Sequence, residues 1–209
     1  LAEGTHAFVN TQRGADNPAW YSEGLAELLG THRWEDGELT LGYFPASVDE
    51  VPMLGRIGLV QKAVEDDRAL SLDDVLNFGP NTHVRNEPYA WCWALASLLD
   101  NHPRYQRRFR RLHDSRSKRD LNDRLRATLG EEDWALLNAE WEAFTRDLEH
   151  GYDFAHTAID ATPGEPLARS RSSANVTVAA NQGWQNSGLQ VRAGEKYVLR
   201  ASGRYQIAS

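Results

Sequence analysis

Four side chains able to do acid–base or metal chemistry fall at helical spacing near the start of the chain. They are Glu3 and His6, then Glu23 and Glu27. Residues four apart on an α-helix share a face, so positions 2 and 6 point the same way, with Glu3 beside them. Position 6 is His6, whereas position 2 is Ala2. Glu27 follows Glu23 by one turn and lies on the same face. Imidazole and carboxylate groups are those that ligate divalent metals and carry protons near neutral pH. A lone Glu-x-x-His is common by chance, so much of the weight rests on the second segment, Pro18-Ala-Trp-Tyr-Ser-Glu23-Gly-Leu-Ala-Glu27.

Glu3-Gly-Thr-His6 is the His-Glu-x-x-His motif of zinc peptidases with its first histidine replaced by Ala2. Trp20-Tyr-Ser-Glu23-Gly-Leu-Ala26, at this distance, resembles the second helix of the gluzincin peptidases, which supplies their third zinc ligand. The chain is thus similar to an uncharacterised bacterial family of gluzincin-type, clan MA-like metallopeptidases. The resemblance implies one zinc ion held by His6 and Glu23, with Glu3 as general base. In such a site the metal acidifies a bound water and polarises the scissile carbonyl, and a neighbouring carboxylate moves the proton. The family also implies that Glu27 orients a ligand histidine, and that a tyrosine or histidine from a later helix steadies the oxyanion. Tyr89 is the first choice for that last role, ahead of His83 and Tyr43. The function implied is hydrolysis of peptide bonds. The alternative is a non-catalytic pseudopeptidase that keeps the cleft as a binding site, because a catalytic zinc needs three protein ligands. Three accounts of Ala2 stand side by side: natural loss of the ligand, deliberate alteration, or a histidine dropped at a boundary.

The elements that must position these residues are mostly helical. Residues 1–12 read as a helix, Pro18 opens a second that Gly30 closes, and Asp36-Gly37 marks a two-residue hairpin between 31–35 and 38–43. The hairpin reads as a flap at the rim of a site. Helices follow at 53–65 and, capped by Ser71, through Phe78. Residues 88–100 are apolar all round and predict a buried central helix. Tyr105, Phe109 and Leu112 mark the next helix, Leu121, Leu125 and Leu129 another ending at Gly130. Trp134, Leu137, Trp141, Phe144 and Leu148 then form an amphipathic stripe on the last. The expected architecture is mainly α: a helical peptidase subdomain at 1–150, a linker at 151–174, and an incomplete β-sandwich at 175–209. Four short strands are expected there, at 175–180, 188–191, 196–201 and 204–208.

Trp184-Gln-Asn-Ser-Gly-Leu-Gln-Val191, with the glycine turns that follow, resembles the opening of a galactophilic lectin-type sandwich. That likeness implies glycan binding but carries over no ligand residue. A peptidase followed by a sandwich implies an extracellular or periplasmic protein. The abrupt ends suggest a fragment of a longer chain. Cys92 is the one cysteine, so neither a disulfide framework nor a thiolate metal cluster is expected. The net charge of -7 argues against a nucleic-acid partner. The arginines from Arg104 to Arg126 alternate with Asp114, Asp120 and Asp123, and read as a solvated face paired with acidic residues. No apolar run reaches the roughly 18 residues of a membrane span. The partners expected are a peptide or protein substrate and a glycan.

Overall fold

The computed structural model describes residues 2–13, 17–50, 55–79, 86–112, 120–167, 173–180 and 183–204. The protein is mainly α, and divides into two compact units, Leu1–Ala155 and His156–Ser209. In the first unit α1 (Ala2–Arg13) and α2 (Ala19–Gly30) lead into a hairpin, β1 (His32–Glu35) and β2 (Glu38–Leu41). Helices α3 (Arg56–Glu65), α4 (Leu72–Leu76), α5 (Asn86–Asn101), α6 (Gln106–Arg110) and α7 (Leu121–Asp147) complete it.

Helix α5 is the axis of the core. Every residue from Ala90 to Leu99 is buried, as its all-round apolar sequence requires. Helix α2 packs across it at Gly24, where a Cβ would stand 2.7 Å from the Cys92 carbonyl oxygen and 3.1 Å from Ala96 Cβ. Trp20 is fully buried, and its indole N–H donates to Asn122 Oδ1 at 2.7 Å, while Asn122 Nδ2 donates to the Leu76 carbonyl at 3.0 Å. One amide side chain thus ties α2, α4 and α7 together.

Local chemistry sets several boundaries. Ser71 and Asp74 form a reciprocal capping box at the start of α4. Asp36 and Gly37 both have positive φ, 50° and 83°, the backbone of the tight turn that matches strand twist. Trp34 pairs with Leu39 and His32 with Leu41 across β1 and β2, leaving an exposed apolar face on the hairpin. Gly130, at φ 77° and ψ 171°, breaks α7 into two helical stretches in a conformation essentially restricted to glycine.

The structure departs from the sequence reading in three places: just after Gly151, at Arg124, and in the second unit. Residues just after Gly151 belong to the helical core rather than to a linker: Phe154 stands edge-on to Phe44 and Tyr152 edge-on to Phe144, each with ring centres 5.0 Å apart. His102, just past α5, is buried, its ring stacked on Tyr105 and its Nε2 3.2 Å from Glu140 Oε1 without hydrogen-bond alignment. Tyr105 donates a short hydrogen bond to the other Glu140 oxygen. Burial, and then that bond, push the Tyr105 hydroxyl far above its ordinary value.

The third departure concerns the second unit. Its described strands are β3 (Glu165–Pro166) and β4 (Leu189–Gln190), paired in parallel. Of the four strands expected, only 188–191 contains one; residues 175–180 and 196–201 form none, and 205–208 lie outside the described residues. At Ala179 the backbone N–H and carbonyl are both taken by the Gln185 side chain, at 2.9 and 2.8 Å, in place of a ladder partner. No helix among the described residues is long and apolar enough to cross a membrane.

Candidate functional site

Helices α1 and α2 pack side by side and bring the two sequence segments together. His6 Nε2 lies 3.3 Å from Glu23 Oε2, with the two side chains 29% and 18% exposed. That is longer than the roughly 2.7–2.9 Å of a charge-assisted hydrogen bond. Ala2, one turn before His6, faces the last turn of α2: its Cβ is 3.9 Å from where a Cβ on Gly30 would stand. Glu3 is exposed on the first turn of α1. Being three positions from His6, it is a neighbour on the helix surface, with Cβ atoms about 5–6 Å apart.

Glu27 meets a residue that no motif in the sequence singles out. Arg56 places its Nε 2.8 Å and its Nη2 2.7 Å from Glu27 Oε2, with both side chains about one-fifth exposed. The same guanidinium lies over the Tyr89 ring, 5.5 Å from its centre. The pair has a local cause. Arg56 is the first residue of α3, which has no acidic residue in its first turn. A cation there opposes the helix dipole, so a carboxylate from another element is the natural compensation. An arginine at a helix start without an acidic neighbour is the signal by which sequence reasoning finds this contact.

Tyr89 is half-buried at the start of α5. Burial pushes its hydroxyl above the ordinary tyrosine value, the Glu23 and Glu27 carboxylates push it further, and Arg56 opposes them. Burial likewise raises the Cys92 thiol, one turn along α5, again with Glu23 and Glu27 next in influence. A thiol held protonated in this way is neither a nucleophile nor a metal ligand. Glu23, Glu27, Tyr89 and Arg56 therefore share one electrostatic neighbourhood, with His6 joined to it through Glu23.

The other candidate oxyanion donors are elsewhere. Tyr43 donates its hydroxyl to Glu50 Oε2 at 2.7 Å and accepts from Arg33. His83 lies outside the described residues. Within the arginine-rich stretch Arg104 and Arg108 pair with Asp133, Arg110 with Asp100, and Arg126 with Glu131. Arg124, expected on a solvated face, is buried and donates to the Leu112 carbonyl.

His6 and Glu23, the two ligands implied by the sequence resemblance, are brought side by side by the fold. Among the described residues no group of three or more His, Cys, Asp or Glu is placed to hold a metal ion. No protein-family model, no curated protein and no solved structure matches the chain.

Proposed function

We propose that the chain is built on the plan of a gluzincin-type zinc peptidase, whose task is hydrolysis of peptide bonds. The observation that carries the reading is the 3.3 Å between His6 Nε2 and Glu23 Oε2. Two ligands each about 2.0–2.1 Å from a tetrahedral zinc stand about 3.3–3.4 Å apart, so the pair has the spacing of two corners of a zinc site. When bound, the metal would supply an acidified water and a polarised carbonyl. Glu3, beside His6 and open to solvent, is the residue able to take a proton there. Tyr89, at the start of α5 and under the influence of the Glu23 and Glu27 carboxylates, is the tyrosine this reading takes as hydrogen-bond donor.

Ala2 leaves the third corner without a side chain, and Arg56 holds the Glu27 carboxylate that would orient a histidine there. These two observations favour a second reading for the chain as it stands, a non-catalytic protein that uses the cleft for binding. By the same sequence resemblances, the second unit is a glycan-binding module and the protein extracellular or periplasmic.

The experiment is zinc analysis and cleavage of a quenched fluorescent protein substrate, for this chain and its Ala2→His variant. We expect Ala2→His to hold zinc through dialysis and to cleave, and its Glu3→Gln derivative to hold zinc without cleaving. A folded Ala2→His variant that retains no zinc refutes the peptidase plan. Retained zinc without cleavage leaves the second reading.

A further inference from the structure

An open depression of about 450 Å³ lies in the first unit, walled by Phe44, by Asn101 at the end of α5, and by the chain from Gly151 to Ala155. Small-molecule sites span roughly 300–1,000 Å³. Its aromatic rings are held from behind. Phe44 stacks on the buried Trp93, with ring centres 5.6 Å apart and planes at 17°. Tyr152 and Phe154 both pack on Phe144, at 5.0 and 5.5 Å. Phe154 then meets Phe44 at 90° and Tyr152 at 70°. Rings fixed by the core need little further ordering when a ligand arrives, which lowers the entropic cost of binding.

The polar groups of the wall lean toward accepting. The Gly151 N–H donates to the Pro45 carbonyl at 2.9 Å, and the Ala155 N–H to Asp153 Oδ1 at 3.1 Å. Asn101 spends an N–H on the Ser97 carbonyl at 2.9 Å, which leaves its Oδ1 as an acceptor. The bond from Ala155 orients the Asp153 carboxylate, which offers about four acceptor positions. Among the described residues of the wall Asp153 is the one charged side chain. The depression thus presents aromatic carbon, acceptors and a negative charge. Its complement is a flat cation rich in N–H donors. A guanidinium group is planar, stacks on aromatic rings, spreads its donors in one plane and is weakly hydrated, whereas an ammonium has no plane and holds water more tightly. The chain's net charge of -7 favours the approach of any cation.

We propose that this depression binds a guanidinium group, carried by a peptide arginine or by a free small compound, with Asp153 and Asn101 as acceptors against the wall of Phe44, Tyr152 and Phe154. The site shares no residue with the peptidase reading and stands or falls separately from it.

The test is titration of the full ¹⁵N-labelled chain with butylguanidinium chloride, followed at the backbone amides of Gly151, Asp153 and Ala155 by nuclear magnetic resonance. We expect those amides to shift with a dissociation constant on the order of 1 mM, ordinary for so small a ligand. N-butylurea has nearly the same shape without the charge, and should bind on the order of tenfold more weakly or worse. Asp153→Asn keeps an oxygen for the Ala155 N–H and should weaken butylguanidinium by about two- to fivefold, the size of an exposed ion pair. If that variant does not fold, the urea comparison on the native chain decides. Acetyl-Gly-Arg-Gly-amide separates the two sources: binding as tight as butylguanidinium supports a peptide arginine, and binding on the order of tenfold weaker supports a free guanidinium compound. Amides that do not move, equal binding of N-butylurea, or unchanged affinity in folded Asp153→Asn overturns the proposal. So does a neutral methyl hexoside that moves the same amides as strongly.

Discussion

Replacing Gly24 by alanine should loosen the joint on which the cleft is built. Intrinsic helix propensity alone predicts the opposite, since Gly→Ala inside a helix is worth about 0.8–1 kcal/mol of added stability. At Gly24 the new methyl would meet the Cys92 carbonyl oxygen at 2.7 Å and Ala96 Cβ at 3.1 Å. The first of these is backbone of a fully buried helix and cannot swing aside. Bringing 2.7 Å out to an ordinary 3.4 Å contact moves α2 from α5 by about 0.7 Å. A gap of that size forfeits roughly a quarter to a half of each dispersion contact it opens. Overpacking of this kind costs about 1–3 kcal/mol, which exceeds the propensity gain. The net expected effect is a loss of up to about 2 kcal/mol, or up to about 8 °C in Tm for a chain of this size. Thermal unfolding followed by near-ultraviolet circular dichroism of the tryptophans measures it. Gly58→Ala on α3 is the control, because its Cβ would meet nothing within 4 Å; it should raise stability by about 0.4–1 kcal/mol. A Gly24→Ala protein as stable as Gly58→Ala would refute the packing argument.

Asn122→Ala should leave the buried Trp20 indole N–H and the Leu76 carbonyl without their shared partner. The expected loss is about 1–3 kcal/mol in urea unfolding, and Asn122→Asp, which keeps the acceptor for Trp20, should lose less. Ser71→Ala removes the α4 cap and should cost about 0.5–2 kcal/mol at neutral pH. Its penalty depends on pH, because the Ser71 hydroxyl and backbone N–H hold Asp74 below the usual carboxylate value. A depressed carboxylate contributes stability that is present above its unfolded pKa and lost as pH falls through the folded one. The gap between native and Ser71→Ala should therefore be narrower at about pH 3 than at pH 7. An equal gap at both would show that Asp74 takes no part in the cap.

Much of the helical unit was legible because its signals are local. Ala90 to Leu99 has no polar face, Ser71 with Asp74 is a cap in one turn, and Asp36-Gly37 is a turn by its own backbone preferences. His6 and Glu23 were legible as candidates through the family resemblance of their two segments, and the fold brings them together. What escaped the sequence depends on partners distant in the chain. Arg56 is 29 residues from Glu27, and they meet only because α2 and α3 both pack against α5. Nothing near His102 in the sequence announces Glu140, on α7, whose Oε1 lies 3.2 Å from its Nε2 in the core. The strands expected at 175–180 and 196–201 failed for a related reason. Alternation of side chains favours an extended chain but does not supply the neighbouring backbone that makes it a strand, and at Ala179 the Gln185 side chain fills that place.

Packing and chemistry are interleaved along α2. Gly24 lies between Glu23, which faces His6, and the turn that ends at Glu27, which faces Arg56. The close approach at Gly24 sets how near both carboxylates come to Tyr89 and Cys92 on α5, and those two side chains register both charges. A substitution that only destabilised the fold would leave the cleft of the folded molecules unchanged. A displacement of α2 by about 0.7 Å would not, because it is comparable to the whole difference between a charge-assisted bond and the 3.3 Å His6–Glu23 separation. Gly24→Ala should therefore weaken zinc retention by the folded Ala2→His variant, whereas Ser71→Ala, at the start of α4, should lower Tm and leave that retention in place.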